Sequence, residues 1–218
     1  VHVEYKQTGA SKSTNEYGMR EMQERAFEAR DAQYLLLKAP PASGKSTLAS
    51  HVQRGFQQYG TDCGLVPMDG FHFDNALLER RGLLGRKGAP ETFNVEGFTS
   101  IIEQLKTGGE VSVPHFNRSL DRVEHSAEII TASQRYVVVE GNYLFLKDEA
   151  WRPLLDMWSL GVFVKPSLGL MASRLRQRWL ENDMSEEEAE IRIQTNDLPN
   201  ARYVLENSDF EDALIVFE

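Results

Sequence analysis

The sequence is poor in the residues that staple or anchor a chain. Among 218 residues there is one cysteine, Cys63, so neither an intramolecular disulfide nor a cysteine-built zinc site is available. That fits a reducing compartment. No run approaches the roughly 18 apolar residues that read as a membrane span, and the opening VHVEYKQTGASKS holds no apolar stretch of signal-peptide type. A soluble, cytoplasmic protein with no membrane partner is expected. Positive charge is short as well: 24 Lys and Arg against 33 Asp and Glu leave a net charge of −9. A chain that tracks along nucleic acid through diffuse positive charge is therefore not expected, although a local basic pocket remains open. Nothing else is scarce. With 41% hydrophobic and 26% charged residues the chain has a globular composition, and its length is that of one domain.

Residues 1–15 are polar and read as a flexible tail, leaving 16–218 as one domain. Residues 16–32 carry Met19, Met22, Ala26 and Ala29 at helical spacing, an amphipathic packing helix. Apolar runs of buried-strand type follow at 34–39, 63–68, 136–140, 159–164 and 213–217. Between them helical patterns start at Ser46, at Asn75, at Val95 and in DEAWRPLLDM (148–157), and a long one starts at Ser167. Strands separated by helices imply parallel pairing through right-handed crossovers, hence an α/β sheet covered on both faces. Residues 111–131 break the alternation and are expected to form a small β-hairpin.

The strongest signal is Ala39-Pro40-Pro41-Ala42-Ser43-Gly44-Lys45-Ser46-Thr47, placed between a strand and a helix as a P-loop must be. The unpaired N–H groups at a helix amino terminus carry the positive end of its dipole and suit a polyphosphate. Pro40 and Pro41 have no N–H to give, which leaves Ala42, Ser43, Gly44, Lys45, Ser46 and Thr47 as the donors. Lys45 would reach the β and γ phosphates of ATP, and the Ser46 hydroxyl would ligate Mg²⁺. Ala39 stands where a P-loop usually has its first Gly.

Two further strands end in acids, at the edge where open α/β sheets place ligands: Met68-Asp69-Gly70-Phe71-His72 and Glu140-Gly141-Asn142-Tyr143. One such acid can accept the proton of an attacking hydroxyl while the other holds Mg²⁺. Each could also be a loop residue capping a turn.

Together, GKST, MDGFHFDN, KGAPETF (87–93), VPHFNRS (113–119), VVVEGNYL (137–144) and a basic helix followed by NDLPNA (196–201) resemble the phosphoribulokinase/uridine kinase family of P-loop kinases. The likeness spans roughly residues 33–217. The DGFH and KGxPE wording is closer to pantothenate kinases, and closest to the bacterial group called fructose transport system kinases. The resemblance implies a three-layer fold with a five-stranded parallel sheet, hairpin and helical lid insertions (the lid near 174–190), ATP with Mg²⁺, and phosphorylation of a hydroxyl on a small metabolite. By motif match it makes Asp69 the general base and Glu140 the Mg²⁺ acid, with His72, Lys87 and Arg118 facing the acceptor. Asn94 and Asn117 depart from the pattern, which has Asp at both places.

On the helix from Ser167, Leu168, Met171, Leu175 and Trp179 form a core stripe, while Arg174 and Arg178 lie four apart on another. Like charges at that spacing repel by about 0.2–0.5 kcal/mol, so the pair invites an anion. The family lid would supply ATP phosphates; a solvated face with Glu181 beside Arg178 is the plainer alternative. Arg80, Arg81 and Arg86 read as surface charge. His115 and His125 lack metal-ligand spacing and an acid partner in register. Phe93 and Phe116 either floor the acceptor pocket or belong to the core, and Cys63 reads as a small hydrophobe.

The resulting expectation is an ATP-dependent kinase acting on a sugar-like alcohol such as fructose. A nucleoside or pantothenate-type acceptor stands second, and a nucleotide-hydrolysing switch without a small-molecule acceptor is the rival from another class. Oligomeric state is open, a homodimer included.

Overall fold

The computed structural model describes residues 2–3, 34–38, 45–209, 211 and 213–217. The expected helix over 16–32 and loop residues 39–44, with Ala42, Ser43 and Gly44, lie outside them. The strands are β1 (His2–Val3), β2 (Tyr34–Lys38), β3 (Cys63–Pro67), β4 (Val111–Asn117), β5 (Arg122–Ile130), β6 (Tyr136–Gly141), β7 (Leu160–Lys165) and β8 (Ala213–Phe217). The helices are α1 (Lys45–Gln58), α2 (Asn75–Arg80), α3 (Val95–Lys106), α4 (Leu168–Glu181), α5 (Glu186–Arg192) and α6 (Leu198–Asn207), with a π turn at Ile193–Asp197 joining α5 to α6.

The main sheet is parallel throughout, in the order β1-β8-β7-β2-β6-β3. Among the described residues it has six strands where five were expected. The extra one falls in the presumed tail: His2 and Val3 pair with Ile215 and Val216 of β8. An open sheet edge offers unpaired N–H and C=O groups to any extended segment, whatever its side chains.

The run of valines in β6 explains why helices lie on both faces. Alternate side chains point to opposite sides, so Val137 and Val139 join Phe98 and Ile102 of α3, while Val138 joins Leu48, Ala49, Val52 and Phe56 of α1. Residues 111–131 form the expected antiparallel hairpin, β4 against β5, and Val111, Val113 and Ile130 bury against the α3 side. Its register shifts between Val113 and His115, at Pro114, which has no N–H for the ladder. One helix expected over 148–157 is instead a 3₁₀ turn at Arg152–Met157, where Pro153 removes a donor from its first turn. Met171 and Leu175 of the core stripe are buried; Leu175 packs with Ile193 and Leu198, and Leu168 and Trp179 are partly covered. Cys63 is buried too, and that burial pushes its thiol up to about 12, consistent with a packing role.

Candidate active site

Lys45 and Ser46 open α1 just after the carboxyl end of β2, and Glu140 lies in the next strand, paired with Leu37 on one side and Pro67 on the other. That register brings the three side chains together. Ser46 Oγ donates to Glu140 Oε1 at 2.9 Å, and Lys45 Nζ lies 3.6 Å from Oε2. Lys45 and Glu140 are both buried, and among the described residues Oε2 has no hydrogen-bond partner. Burial pushes the Glu140 carboxyl upward and Asp69 adds to this, against the pull of Lys45 and the Ser46 hydrogen bond. Asn142, two residues on, has a buried Oδ1 that is likewise unpartnered among the described residues.

An unpaired carboxylate oxygen beside a hydroxyl, in a place that resists bare negative charge, suits a hard divalent cation. Among the described residues no three His, Cys, Asp or Glu side chains cluster to hold a metal by themselves. Such an ion would therefore draw its other oxygens from phosphates and water, as Mg²⁺ commonly does. The residues fit Mg²⁺ arriving with a nucleotide.

Asp69 sits in a 3₁₀ turn, Met68–Phe71, that follows β3. A side chain on its neighbour Gly70 would start 2.0 Å from the Pro114 carbonyl oxygen, so glycine lets the hairpin close over the turn. The hairpin tip then reaches the acid: Arg118 Nη2 donates to Asp69 Oδ2 at 2.7 Å. Burial by itself would raise the Asp69 carboxyl, but the charges of Lys45, Arg118 and Arg178 outweigh it and hold the group below the ordinary carboxylate range. Asp69 is thus a carboxylate, with one oxygen engaged by Arg118.

His72 Nδ1 lies 2.8 Å from the Asp69 carbonyl oxygen and must carry the hydrogen there. Burial lowers its pKa, which favours a neutral ring with Nε2 as an acceptor. The ring lies 4.0 Å from Phe93 and 4.9 Å from Phe116. Lys87 Nζ reaches Asn75 Oδ1 at 2.6 Å and Asp121 Oδ1 at 2.8 Å, over the Phe116 ring.

A cavity of about 370 Å³ joins these groups: Lys45, Ser46, Thr47, Asp69, His72, Lys87, Phe93, Phe116 and Arg118 all line it. Phe93 and Phe116 are therefore walls of the site, Phe93 being core on its other side against Tyr143 and Trp151. Arg178 lines the cavity as well, and Glu181 accepts from Gln177 instead. Arg174, one turn earlier, is not part of that lining. Burial and the nearby Arg118 both depress the Arg178 pKa, the condition of a cation that would gain from an anionic ligand.

Several cavity residues escape motif reading: Asn142, Asp121, Trp179, Arg192, Asp197 and Asn200. The last two belong to the NDLPNA stretch: Asp197 ends the π turn and Asn200 lies in the first turn of α6. A π turn at a functional site is a recurrent device.

Other expectations need correction. Arg86 is half-exposed, as surface charge would be, but it is also tied down: it donates to Asn196 Oδ1 at 3.1 Å and Asn200 Oδ1 at 3.3 Å, linking its loop to the π turn and α6. His115 does have acids beside it: Nε2 lies 3.2 Å from Glu128 Oε2, and Glu124 stands opposite it in the ladder. Asn94 caps α3, accepting from Gly97 N at 3.0 Å. Asn117 holds the hairpin turn through Glu124, Ser119 and Leu120. Neither lines the cavity.

No protein-family profile matches the chain. Its fold is similar to that of a candidate fructose transport system kinase from Silicibacter sp. TM1040, with a TM-score of 0.80 and 38% identity over 84% of this chain and 89% of the other. An uncharacterised protein of Escherichia coli, YggC, is 34% identical over 176 residues, 80% of this chain and 73% of that one. A pantothenate kinase of Streptococcus pneumoniae is 29% identical over 144 residues, 64% of this chain but only 47% of the relative. A shorter stretch of 46 residues, 21% of the chain, is 74% identical to part of a candidate ATP-dependent helicase, YeeB, of Bacillus subtilis. That match spans 8% of the helicase and bears on a segment only.

Proposed function

Because the chain belongs to the phosphoribulokinase/uridine kinase family of P-loop kinases, we propose that it transfers the γ-phosphoryl group of ATP to a hydroxyl of a small sugar-like alcohol such as fructose. The observation that carries this reading is the cavity in which Lys45 and Ser46 face Asp69, His72 and Lys87 across one space. One end is cationic and meets a helix amino terminus, as a polyphosphate requires. The other has an ionised acid, a neutral imidazole and aromatic walls, as a hydroxylated acceptor requires.

Ser46 and Glu140 would hold Mg²⁺, which neutralises charge developing on the phosphates. Lys45 positions the phosphoryl oxygens, with residues 42–47 as the cradle, and Arg178 stabilises the transferring group, with Arg174 as a second lid cation. Asp69 accepts the hydroxyl proton. His72 Nε2 and Lys87 orient the acceptor, Phe93 and Phe116 stack on it, and Arg118 must leave Asp69 before the proton can move. In-line transfer of this kind depends mainly on positioning and charge stabilisation.

A pantothenate-type acceptor is the second reading, favoured by the 29% identity to pantothenate kinases. ADP release from ATP and Mg²⁺ across sugars, nucleosides and pantothenate tests both. If no acceptor raises turnover above background while a protein partner does, the kinase reading gives way to a switch.

A further inference from the structure

Resting on the kinase reading, we infer that Asp121 and Asn75 are positioning residues, which fasten the hairpin tip over the acceptor end of the cleft through the Lys87 ammonium. An ammonium has three hydrogens to donate and nothing to accept with. Lys87 Nζ lies 2.6 Å from Asn75 Oδ1, 2.8 Å from Asp121 Oδ1 and 3.3 Å from the Asp121 carbonyl oxygen, and those acceptors can take all of its hydrogens. Asn75 Nδ2 then donates to Asp121 Oδ2 at 2.7 Å. The result is a closed ring among residues that stand 12, 34 and 46 positions apart in the chain. The family resemblance sets Lys87 toward the acceptor as a ligand. With its hydrogens engaged the ammonium has none left for a hydroxyl, and it serves the acceptor by tying down its roof.

An exposed ion pair contributes little when both side chains stay wet and mobile. Here the Lys87 side chain is only 12% exposed, and its ammonium lies 4.9 Å from the centre of the Phe116 ring. Burial would raise the Asp121 carboxyl, yet the hydrogen bonds from Lys87 and Asn75 hold it below its ordinary range. Asp121 also keeps a left-handed backbone, φ 49°, uncommon outside glycine, and from it the carbonyl and the carboxylate both meet one ammonium. Such a conformation persists where its surroundings over-determine it. Lys87 is held from behind as well: its carbonyl accepts from Asn196 Nδ2 at 3.3 Å, and the next carbonyl, that of Gly88, accepts from the Tyr143 hydroxyl. The hairpin root is fixed by Val111, Val113 and the close approach of Pro114 to Gly70. At the tip, among the described residues, the polar holds on the rest of the chain are this ring and the Arg118–Asp69 ion pair. In the proposed reaction Arg118 leaves Asp69, so the ring is what then keeps Phe116 as a wall of the cavity.

Hydrogen exchange of the whole protein, with Mg²⁺ and a non-hydrolysable ATP analogue present, follows the tip at residues 117–122. Asp121→Ala, Asn75→Ala and Lys87→Met should each speed exchange there by about tenfold, the scale of one charge-assisted hydrogen bond, and leave α1 and the analogue affinity unchanged. Combining Lys87→Met with Asp121→Ala should add nothing, because each removes the same tie. ADP release across sugars, nucleosides and pantothenate gives the second readout. For an acceptor that raises turnover, the ring variants should raise the acceptor KM at an unchanged KM for ATP, and the double variant no further than the singles. Tip exchange or an acceptor KM that ignores Asp121→Ala overturns the inference. A further loss on adding Lys87→Met also overturns it, since Lys87 would then be bonding the acceptor itself. If the tip loosens as stated but no acceptor raises turnover, the ring stands and the kinase reading falls; transfer with an unmoved tip does the reverse.

Discussion

Asp69 carries the heaviest chemical demand of any side chain in the proposed mechanism, since it must be unprotonated yet shielded from water. Replacing it with Asn keeps shape and hydrogen bonding and removes the base. Turnover should fall by about 10²- to 10⁴-fold, with ATP binding nearly intact. Near-normal kcat at saturating ATP and Mg²⁺ would end the general-base assignment. The surrounding cations also give Asp69 a signature in stability. Its folded-state pKa is depressed, so its stabilising contribution is present above the unfolded value of about 3.9 and fades as pH falls through the lower folded value. The melting-temperature gap between wild type and Asp69→Asn should thus be positive near neutrality and shrink on acidification below about pH 4. A gap that widens in acid would mean the carboxyl is not held down. Lys45→Ala should cost both ATP affinity and turnover, the latter by about 10²-fold or more, the scale of losing one preorganised charge-stabilising group. Calorimetry showing unchanged Mg·ATP binding would remove the P-loop assignment.

The two asparagines that depart from the family pattern illustrate how a helix and a hairpin use a residue differently from a site. Asn94 is the amino-terminal cap of α3. Asn94→Ala should therefore destabilise by roughly 0.5–2 kcal/mol and leave the acceptor KM alone. A KM change at unchanged stability would return Asn94 to substrate recognition. On α4, Arg178 faces the cavity and Arg174 does not line it, so the two should separate. Arg178→Ala is expected to lose most of its turnover at nearly unchanged melting temperature, because exposed or half-exposed substitutions usually shift stability by less than about 0.5 kcal/mol. Arg174→Ala should lose less. Equal losses would show that both arginines reach the nucleotide.

For the molecule taken entire, the alternation of apolar runs and helices foretold the parallel sheet covered on both faces, and the stretch that breaks it foretold the hairpin, because each is written in local pattern. What escaped was produced by distance in the chain. Nothing near Arg86 announces that Asn196 and Asn200 will receive its guanidinium, and nothing near Pro114 announces that the shifted ladder sets His115 opposite Glu124. The acids and the P-loop lysine were legible because strand ends in an open sheet converge on one edge by topology. Asp197 and Arg192 were not, since neither sits at a strand end: Arg192 ends α5 and Asp197 ends the π turn that follows it. Charge behaves in the same way: a chain with net −9 nevertheless lines its cavity with Lys45, Lys87, Arg118, Arg178 and Arg192 against Asp69, Asp121 and Asp197. Anionic ligands would feel attraction only at short range, inside the cleft.

The ion pair between Arg118 and Asp69 bears on waste. A kinase that binds ATP before its acceptor risks activating water, spending nucleotide without product. Here the carboxylate that could deprotonate water is engaged by a guanidinium from the hairpin tip, at 2.7 Å. Arg118 is 59% exposed and Asp69 only 18%, so the arginine is the partner free to withdraw. If an arriving acceptor draws it away, the base is released only when a productive nucleophile is at hand. Arg118→Ala should then raise futile ATP hydrolysis in the absence of acceptor relative to transfer in its presence. An unaltered ratio would mean that thrift in this enzyme is enforced elsewhere.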